Sequence, residues 1–312
     1  MKDFHVGGIR LRAVREMEDR SFEIHQFFPT SDEASLVSES DWLKPPFLDP
    51  ETRCITLSIH TWVIDTGWHR VLVDTCVGND KERHTRTHWT NLNTPFLDRL
   101  TAAGVPPESV DYVFCTHLHA DHVGWNTCLV NGEWRPTFPN ATYLIGRTEF
   151  DYWAAALKDD DGTGHHLAAY RDSVLPVIQA GQVEVVDDGF MLDDCLSVHP
   201  APGHTPGHVA IWLRSRGASC VFTGDVIHHP IQIRHPDWSC IGCEEPEQAN
   251  ATRRRLIDEI TDTSTLLMTG HFIAPHAGRV RTSSGAIEFE FADDGETWNR
   301  DHPRVLRFSP VG

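Results

Sequence analysis

Basic side chains are scarce in this chain. Its 27 Lys and Arg stand against 45 Asp and Glu, a net charge of −18. A surface of that sign repels nucleic acid, whose binding depends on neutralising phosphates. Long apolar runs are missing too: no stretch reaches the roughly 18 apolar residues of a transmembrane helix, so no membrane partner is expected. Residues 1–16 lack the basic-then-apolar pattern of a secretory leader, which leaves the cytoplasm as the expected location. Repeats and low-complexity tracts are absent apart from the short acidic Asp159-Asp160-Asp161-Gly162. The eight cysteines are irregularly spaced, and Cys54, Cys115 and Cys220 fall in apolar segments, as reduced buried thiols would and a disulfide framework would not. Cys240 and Cys243 form a Cys-x-x-Cys with no second pair, so a zinc knuckle or redox pair is the lesser reading.

What the sequence does have is a dense group of metal-ligand side chains. Thr116-His117-Leu118-His119-Ala120-Asp121-His122 follows an apolar segment, residues 109–115, that reads as a buried strand. Loops at strand ends are where functional groups collect. His117 and His119 alternate like strand side chains, whereas Asp121 and His122 come after the backbone has turned, so two pairs can face one point from different directions. His204 lies in the turn-rich Pro202-Gly-His-Thr-Pro-Gly-His208, Asp225 ends Cys220-Val-Phe-Thr-Gly-Asp, and His271 follows Leu266-Leu-Met-Thr-Gly. A zinc ion seldom takes more than four protein ligands, and a catalytic one keeps a position for water, so seven ligands suit two metals. With Asp225 shared, His117, His119 and His204 hold one ion and Asp121, His122 and His271 the other. Imidazole with carboxylate favours zinc, iron, manganese or cobalt over calcium or magnesium.

The signature His-x-His-x-Asp-His at His117 to His122, with His204, Asp225 and His271 in the matching order, resembles the metallo-β-lactamase superfamily. The resemblance implies an α/β fold, an αββα sandwich of two mixed β-sheets flanked by helices, with the metals at one edge. It also implies that Asp74, ending Val71-Leu-Val-Asp, supports a ligating histidine from behind. Cys76 stands where the family usually has glycine. Two zinc ions are the implied cofactors, and metal-assisted hydrolysis through a bridging hydroxide the implied chemistry, with Asp121 also orienting that hydroxide.

Asp225 stands where the dizinc antibiotic-degrading β-lactamases carry Cys, and His119 contradicts the Glu of the flavodiiron oxygen reductases. Residues 117–125, 131–140 and 149–153 look like the branch containing acyl-homoserine lactonases, pyridoxolactonase and methyl parathion hydrolase. The expected substrate is therefore a small lactone or carboxylic ester. Phosphotriester hydrolysis is the nearest alternative, followed by thioester hydrolysis, a mononuclear-iron persulfide dioxygenase and a non-catalytic metal-binding protein. Lactonases of that branch place a substrate-contacting tyrosine three residues after the bridging aspartate. His228 takes that place here, as a hydrogen-bond donor to substrate or as a surface loop residue.

The ligands run from residue 117 to 271, so a single domain over 1–312 is expected. Within it, aromatic-rich residues 21–50 read as an N-terminal arm wrapping the core, or as a lid and homodimer contact, and Trp89, Phe96 and Trp153 pose the same choice. Strands are expected at 4–14, 54–64, 69–74, 142–145, 183–186, 209–214, 218–222 and 286–291, and helices at 95–103, 148–157, 165–178 and 246–261. Arg253-Arg254-Arg255 in the last helix reads as a solvated face, and His208 as a packing residue.

Overall fold

Gly7 and Gly8 turn the chain back on itself after only three strand residues. In the computed structural model, which describes residues 3–159, 164–283, 285–292 and the strand Arg304–Val305, β1 (Phe4–Val6) pairs with β2 (Ile9–Glu23) and β2 with β3 (Cys54–Asp65). The expected strand at 4–14 is thus two strands, the second running nine residues further. Charge conceals that extension in the sequence. Register shifts at Arg15/Met17 and Asp19/Phe22 let Glu16 and Asp19 turn inward, and each is only 2% exposed.

After a tight loop, β4 (Arg70–Val73) pairs antiparallel with β3 and parallel with β5 (Tyr112–Cys115). β5 is shorter than the expected 109–115 because Pro107–Ser109 form a 3-10 turn. A two-stranded ribbon, β6 (Thr127–Val130) with β7 (Glu133–Pro136), stands apart, and β8 (Thr142–Gly146) and β9 (Val183–Val186) continue the parallel part. The first sheet thus runs β1-β2-β3-β4-β5-β8-β9. The second runs in chain order: β10 (Met191–Leu192), β11 (Leu196–Pro200), β12 (Val209–Ser215), β13 (Ala218–Phe222), β14 (Leu266–Met268), β15 (Ala277–Ser283), β16 (Ala286–Phe291) and β17 (Arg304–Val305). Its pairs are antiparallel except β13 with β14.

Between the sheets, Leu11, Trp62, Phe114 and Leu144 meet Leu196, Ile211, Phe222 and Met268. The outer face of the first sheet packs against α1 (Ile24–Phe27), α2 (Glu33–Ser38), α3 (Phe96–Ala102) and α4 (Arg147–Ala156). The expected helix at 165–178 is divided into α5 (His165–Ala169), a π-helical turn (Tyr170–Val174) and α6 (Leu175–Gln179), where Pro176 has no N–H to continue the ladder. α7 (Ile231–Arg234) is short, and α8 (Pro246–Ile260) lays Leu256, Ile257 and Ile260 on the outer face of the second sheet. Helices therefore lie outside two facing sheets, the expected αββα sandwich.

Residues 21–50 are packed: Phe22, Ile24, Phe27, Phe28, Trp42, Leu43 and Phe47 are all buried. So are Trp89, Phe96 and Trp153. Arg253 departs from the expected solvated face. It is fully buried and donates to Val226 O at 2.7 Å, Pro236 O at 2.6 Å and Asn250 Oδ1 at 3.0 Å, while Arg254 and Arg255 are exposed. All eight cysteines are free, and Cys54 is half-buried instead of buried. Of the acidic stretch 159–162, residues 160–162 lie outside the described residues. Among those described, no helix is long and apolar enough to cross a membrane.

Candidate metal centre

Parallel strands end on one edge of each sheet, and here the two edges meet. Asp74 follows β4, the segment 116–122 follows β5, Asp225 follows β13, His271 follows β14, and His204 and His208 lie between β11 and β12. Strand C-termini are where open α/β sheets place their ligands. The loops are locked by main-chain bonds: Thr75 N donates to His122 O at 2.6 Å, Gly124 N to Cys76 O at 2.7 Å and Trp125 N to Thr75 O at 2.8 Å. Asp74 and Cys76 have φ of 57° and 56°, a left-handed conformation that costs any residue with a Cβ. Cys76 thus adopts backbone geometry that glycine would adopt more easily. Gly124 cannot be replaced in this arrangement, since a Cβ there would lie 1.8 Å from Val77 O.

All seven sequence-derived ligand residues come together in two groups. Ligand atoms of His117, His119, His204 and Asp225 lie within 4.8 Å of one another, and so do those of Asp121, His122 and His271. Asp225 joins the two through different oxygens. Its Oδ2 is 3.1 Å from His204 Nε2 and 3.6 Å from His117 Nε2, while Oδ1 is 3.1 Å from His122 Nε2 and 3.0 Å from His271 Nε2. Asp121 Oδ2 lies 3.6 Å from His271 Nε2 and 3.7 Å from His122 Nε2. Nδ1 of His119 faces Nε2 of His204 at 2.9 Å. The Nε2 atoms of His117 and His122 and Oδ1 of Asp225 are buried without a hydrogen-bond partner, an arrangement that is costly unless a cation takes the lone pairs.

Outer oxygen partners fix three of the rings, those of His122, His117 and His271. Asp74 Oδ2 lies 2.9 Å from His122 Nδ1, and the same carboxylate accepts from Thr116 N and Oγ1, both at 2.8 Å. Thr116 Oγ1 is 3.0 Å from His117 Nδ1, and Ser58 O is 3.0 Å from His271 Nδ1. His208 packs against the group, as expected, and also accepts a 3.0 Å bond from Asp225 N.

The buried charges are unevenly shared. Burial drives His117 and His119 well below the usual imidazole range. Burial also opposes protonation of His122, His204 and His271, but the carboxylates outweigh it, Asp225 first. They raise His271 and hold His122 well above the usual value, and Asp225 together with the Cys243 sulfur pushes His204 up to about 10. Asp225 is held well below the carboxylate range despite its burial, because His122, His271, His228 and His204 surround it.

A sequence profile of the metallo-beta-lactamase superfamily matches residues 55–276. The chain belongs to this superfamily. The N-acyl homoserine lactonase AttM of Rhizobium radiobacter is 32% identical over 127 residues, 38% of this chain and 41% of that protein. AiiA of Bacillus thuringiensis subsp. kurstaki, also an N-acyl homoserine lactonase, is 23% identical over 175 residues, 56% of this chain and 60% of its own length. The match thus spans about two fifths of AttM and three fifths of AiiA. Among solved structures, AidC, a dizinc quorum-quenching lactonase, superposes with a TM-score of 0.77 at 23% identity, over 94% of this chain and 97% of its own. The hydrolase AbOPH superposes at 0.78 with 22% identity, over 95% and 98%. These likenesses establish the superfamily fold.

On this superfamily frame a cleft opens over the ligands, walled by Phe22, Phe27, Leu57, Ile59, Trp89 and Ile241, with Asp19, Arg86 and His165 as polar lining. His228 is among its residues, only 3% exposed, so it is no surface loop residue. Its ring stacks on His271 with centroids 5.5 Å apart and 9° between planes, and meets Phe27 edge-on at 5.5 Å. Sequence reasoning missed several supporting residues. Buried Glu149 accepts from Leu118 N at 2.8 Å, Trp153 Nε1 at 2.7 Å and Thr205 Oγ1 at 2.6 Å, tying both histidine loops to α4. Glu16 accepts from Val77 N at 2.8 Å and Trp125 Nε1 at 2.6 Å. His166 stacks on His119 with centroids 3.7 Å apart. The one available signal was position: Glu149 and Trp153 sit four residues apart, on one face of the expected helix.

Proposed function

We propose that this protein is a dinuclear metal-dependent hydrolase that opens lactones or cleaves carboxylic esters bearing an apolar acyl group. The observation that carries the reading is the division of Asp225, one oxygen toward His204 and His117 and the other toward His122 and His271. The residues fit two divalent cations: His117, His119 and His204 would hold one and Asp121, His122 and His271 the other, with Asp225 common to both. Zinc suits this donor set, with iron, manganese or cobalt as substitutes. Two such ions supply a hydroxide nucleophile at neutral pH and polarise the ester carbonyl.

The chain's own residues do the rest. Asp74 and Thr116 keep His122 and His117 in the orientation that turns Nε2 inward. Asp121 orients the attacking hydroxide through its carboxylate. His228 donates to the substrate carbonyl or to the departing alkoxide, so no serine or cysteine nucleophile is needed. Phe22, Phe27, Leu57 and Ile59 bury the acyl chain, and the narrow apolar wall favours it over a charged peptide such as a glutathione conjugate. The names of AttM, AiiA and AidC support a lactone as the substrate.

A hydrolysis screen with metal-quantified protein tests the reading, using lactones, linear esters, thioesters, phosphotriesters and a β-lactam. Turnover of lactones or esters should disappear with a chelator and return with zinc. A protein that holds two zinc ions and hydrolyses phosphotriesters but no lactone or carboxylic ester would overturn the substrate class.

A further inference from the structure

At the wall of the same cleft, beside the proposed centre, lie two thiols that the hydrolysis does not use. The Cys-x-x-Cys of the sequence lacks a second pair, yet the fold brings it a third ligand from another segment. Nδ1 of His204, on the ring side away from Asp225, is 3.5 Å from Cys243 Sγ and 3.8 Å from Cys240 Sγ. The two sulfurs are 3.7 Å apart, and no three of these atoms exceed 4.8 Å in any pair. His117, His122 and His271 each direct Nδ1 at an oxygen, from Thr116, Asp74 and Ser58. His204 alone among these four directs it at two thiols.

The distances carry a specific meaning. With metal–sulfur bonds of about 2.3 Å and metal–nitrogen bonds of about 2.0 Å, a tetrahedral ion has sulfur–sulfur edges of about 3.8 Å and sulfur–nitrogen edges of about 3.5 Å. The three observed separations agree with those edges to within about 0.3 Å. The turn is also held in place: Cys243 N donates to Cys240 O at 3.1 Å, Glu244 N to His204 O at 2.9 Å and Ile241 N to Phe27 O at 2.9 Å. Cys240 is buried and Cys243 half-buried, so the fourth position has a route to solvent.

We propose that Cys240, Cys243 and Nδ1 of His204 form a third metal site, for zinc or another thiophilic divalent ion, with water as the fourth ligand. That His204 bridges two ions rests on the dinuclear reading above, whereas the two-thiolate half of the site does not. Binding forms two metal–sulfur bonds and one metal–nitrogen bond, and the two thiol protons and the Nδ1 proton pass to solvent. Two thiolates balance the charge of the dication, and soft donors select zinc over magnesium or calcium. The ion would pin the Ile241–Gly242 wall of the cleft to His204 on one side and, through Phe27, to the N-terminal arm on the other.

Cobalt(II) substitution of the full-length, reduced protein tests the site. Thiolate ligation gives an intense near-ultraviolet sulfur-to-cobalt charge-transfer band, while a centre of imidazoles and carboxylates gives only weak visible bands, so the two readings fail separately. The band should be present in the wild type and lost in Cys240→Ser and in Cys243→Ser. Zinc content should fall from about three equivalents to about two in each variant. In the wild type, two thiols should become reactive to a thiol reagent only after zinc removal, which covers a variant that fails to fold. Visible bands without the charge-transfer band, a band that survives both substitutions, or a Cys240–Cys243 disulfide in protein kept reduced would each overturn the proposal.

Discussion

Nε2 of His228 lies 3.2 Å from Oδ2 of Asp225, the oxygen that also faces His204 at 3.1 Å. An imidazole so close to the shared carboxylate is placed to touch a bound substrate, and it also forms a compact group with Asp225 and His271. His228→Ala should lower kcat/KM by roughly 10- to 100-fold, with metal content unchanged, less than the roughly 10²–10⁴-fold typical for loss of a general acid because a positioning contact contributes less. Steady-state kinetics alongside elemental analysis separates the outcomes. Full activity would make His228 a bystander, and loss of one metal equivalent would make it a ligand.

Asp225→Ala removes the carboxylate that faces both sets of imidazoles. Metal content should drop by at least one equivalent relative to the wild type and hydrolysis should fall to near background, by elemental analysis and rate measurement. Near-normal turnover in this variant would rule out a dinuclear mechanism.

Asp74 touches no proposed substrate position, yet it orients His122 at 2.9 Å. Asp74→Ala should weaken metal affinity about 10- to 100-fold, as removal of such outer partners does. Competition with a chromophoric chelator gives the number, and an unchanged affinity would show that Thr116 and the loop suffice.

Metal uptake should release protons. His122, His271 and His204 have raised pKa values, His204 about 10, so the metal-free protein carries protons there at neutral pH that an ion must displace. Apparent affinity should therefore rise with pH and stop rising above the value for His204. Calorimetry in buffers of different ionisation enthalpy counts the protons, and a count of zero at neutral pH would contradict the assignment of these imidazoles.

Away from the site, Asp172 in the π-helical turn accepts from fully buried Arg83 at 2.7 and 3.1 Å and lies 3.4 Å from buried Lys81. Burial depresses Lys81 to about 7 even with that carboxylate nearby. Asp172→Ala leaves buried Arg83 without its anion, while Lys81 can shed its proton, and should cost about 3–5 kcal/mol in denaturant unfolding. A loss under about 1 kcal/mol would mean that the Arg83 guanidinium reaches water on its own.

The proposed ligand set could be read in the sequence because its residue types, order and strand-end positions form a pattern. The fold gathers the seven residues named there in two groups, and adds His228, Cys240 and Cys243 around them. Single buried polar residues have no such pattern. Glu16 and Asp19 sit in a stretch from Arg15 to Arg20 that reads as solvated, and only two bulges in β2 turn them inward. Arg253 keeps helical spacing with apolar Leu256 and Ile257, but its neighbours Arg254 and Arg255 made the whole triplet look exposed. Two-residue strands such as β10 and β17 carry too few residues for alternation to register. The third donor for Cys240 and Cys243 could not be foreseen, since His204 lies 36 residues before the first of them.

The proposed ligands come from both sheets, with His117 to His122 following β5 of one and Asp225 and His271 following β13 and β14 of the other. Ions held there would act as rivets through the seam of the sandwich. Binding and folding then draw on the same free energy. A cavity cut in the layer between the sheets, as by Leu11→Ala or Leu196→Ala on strands that carry no proposed ligand, should loosen the grip on metal without altering any ligand. For this protein, resistance to a chelator would serve as a gauge of how tightly its two halves are joined.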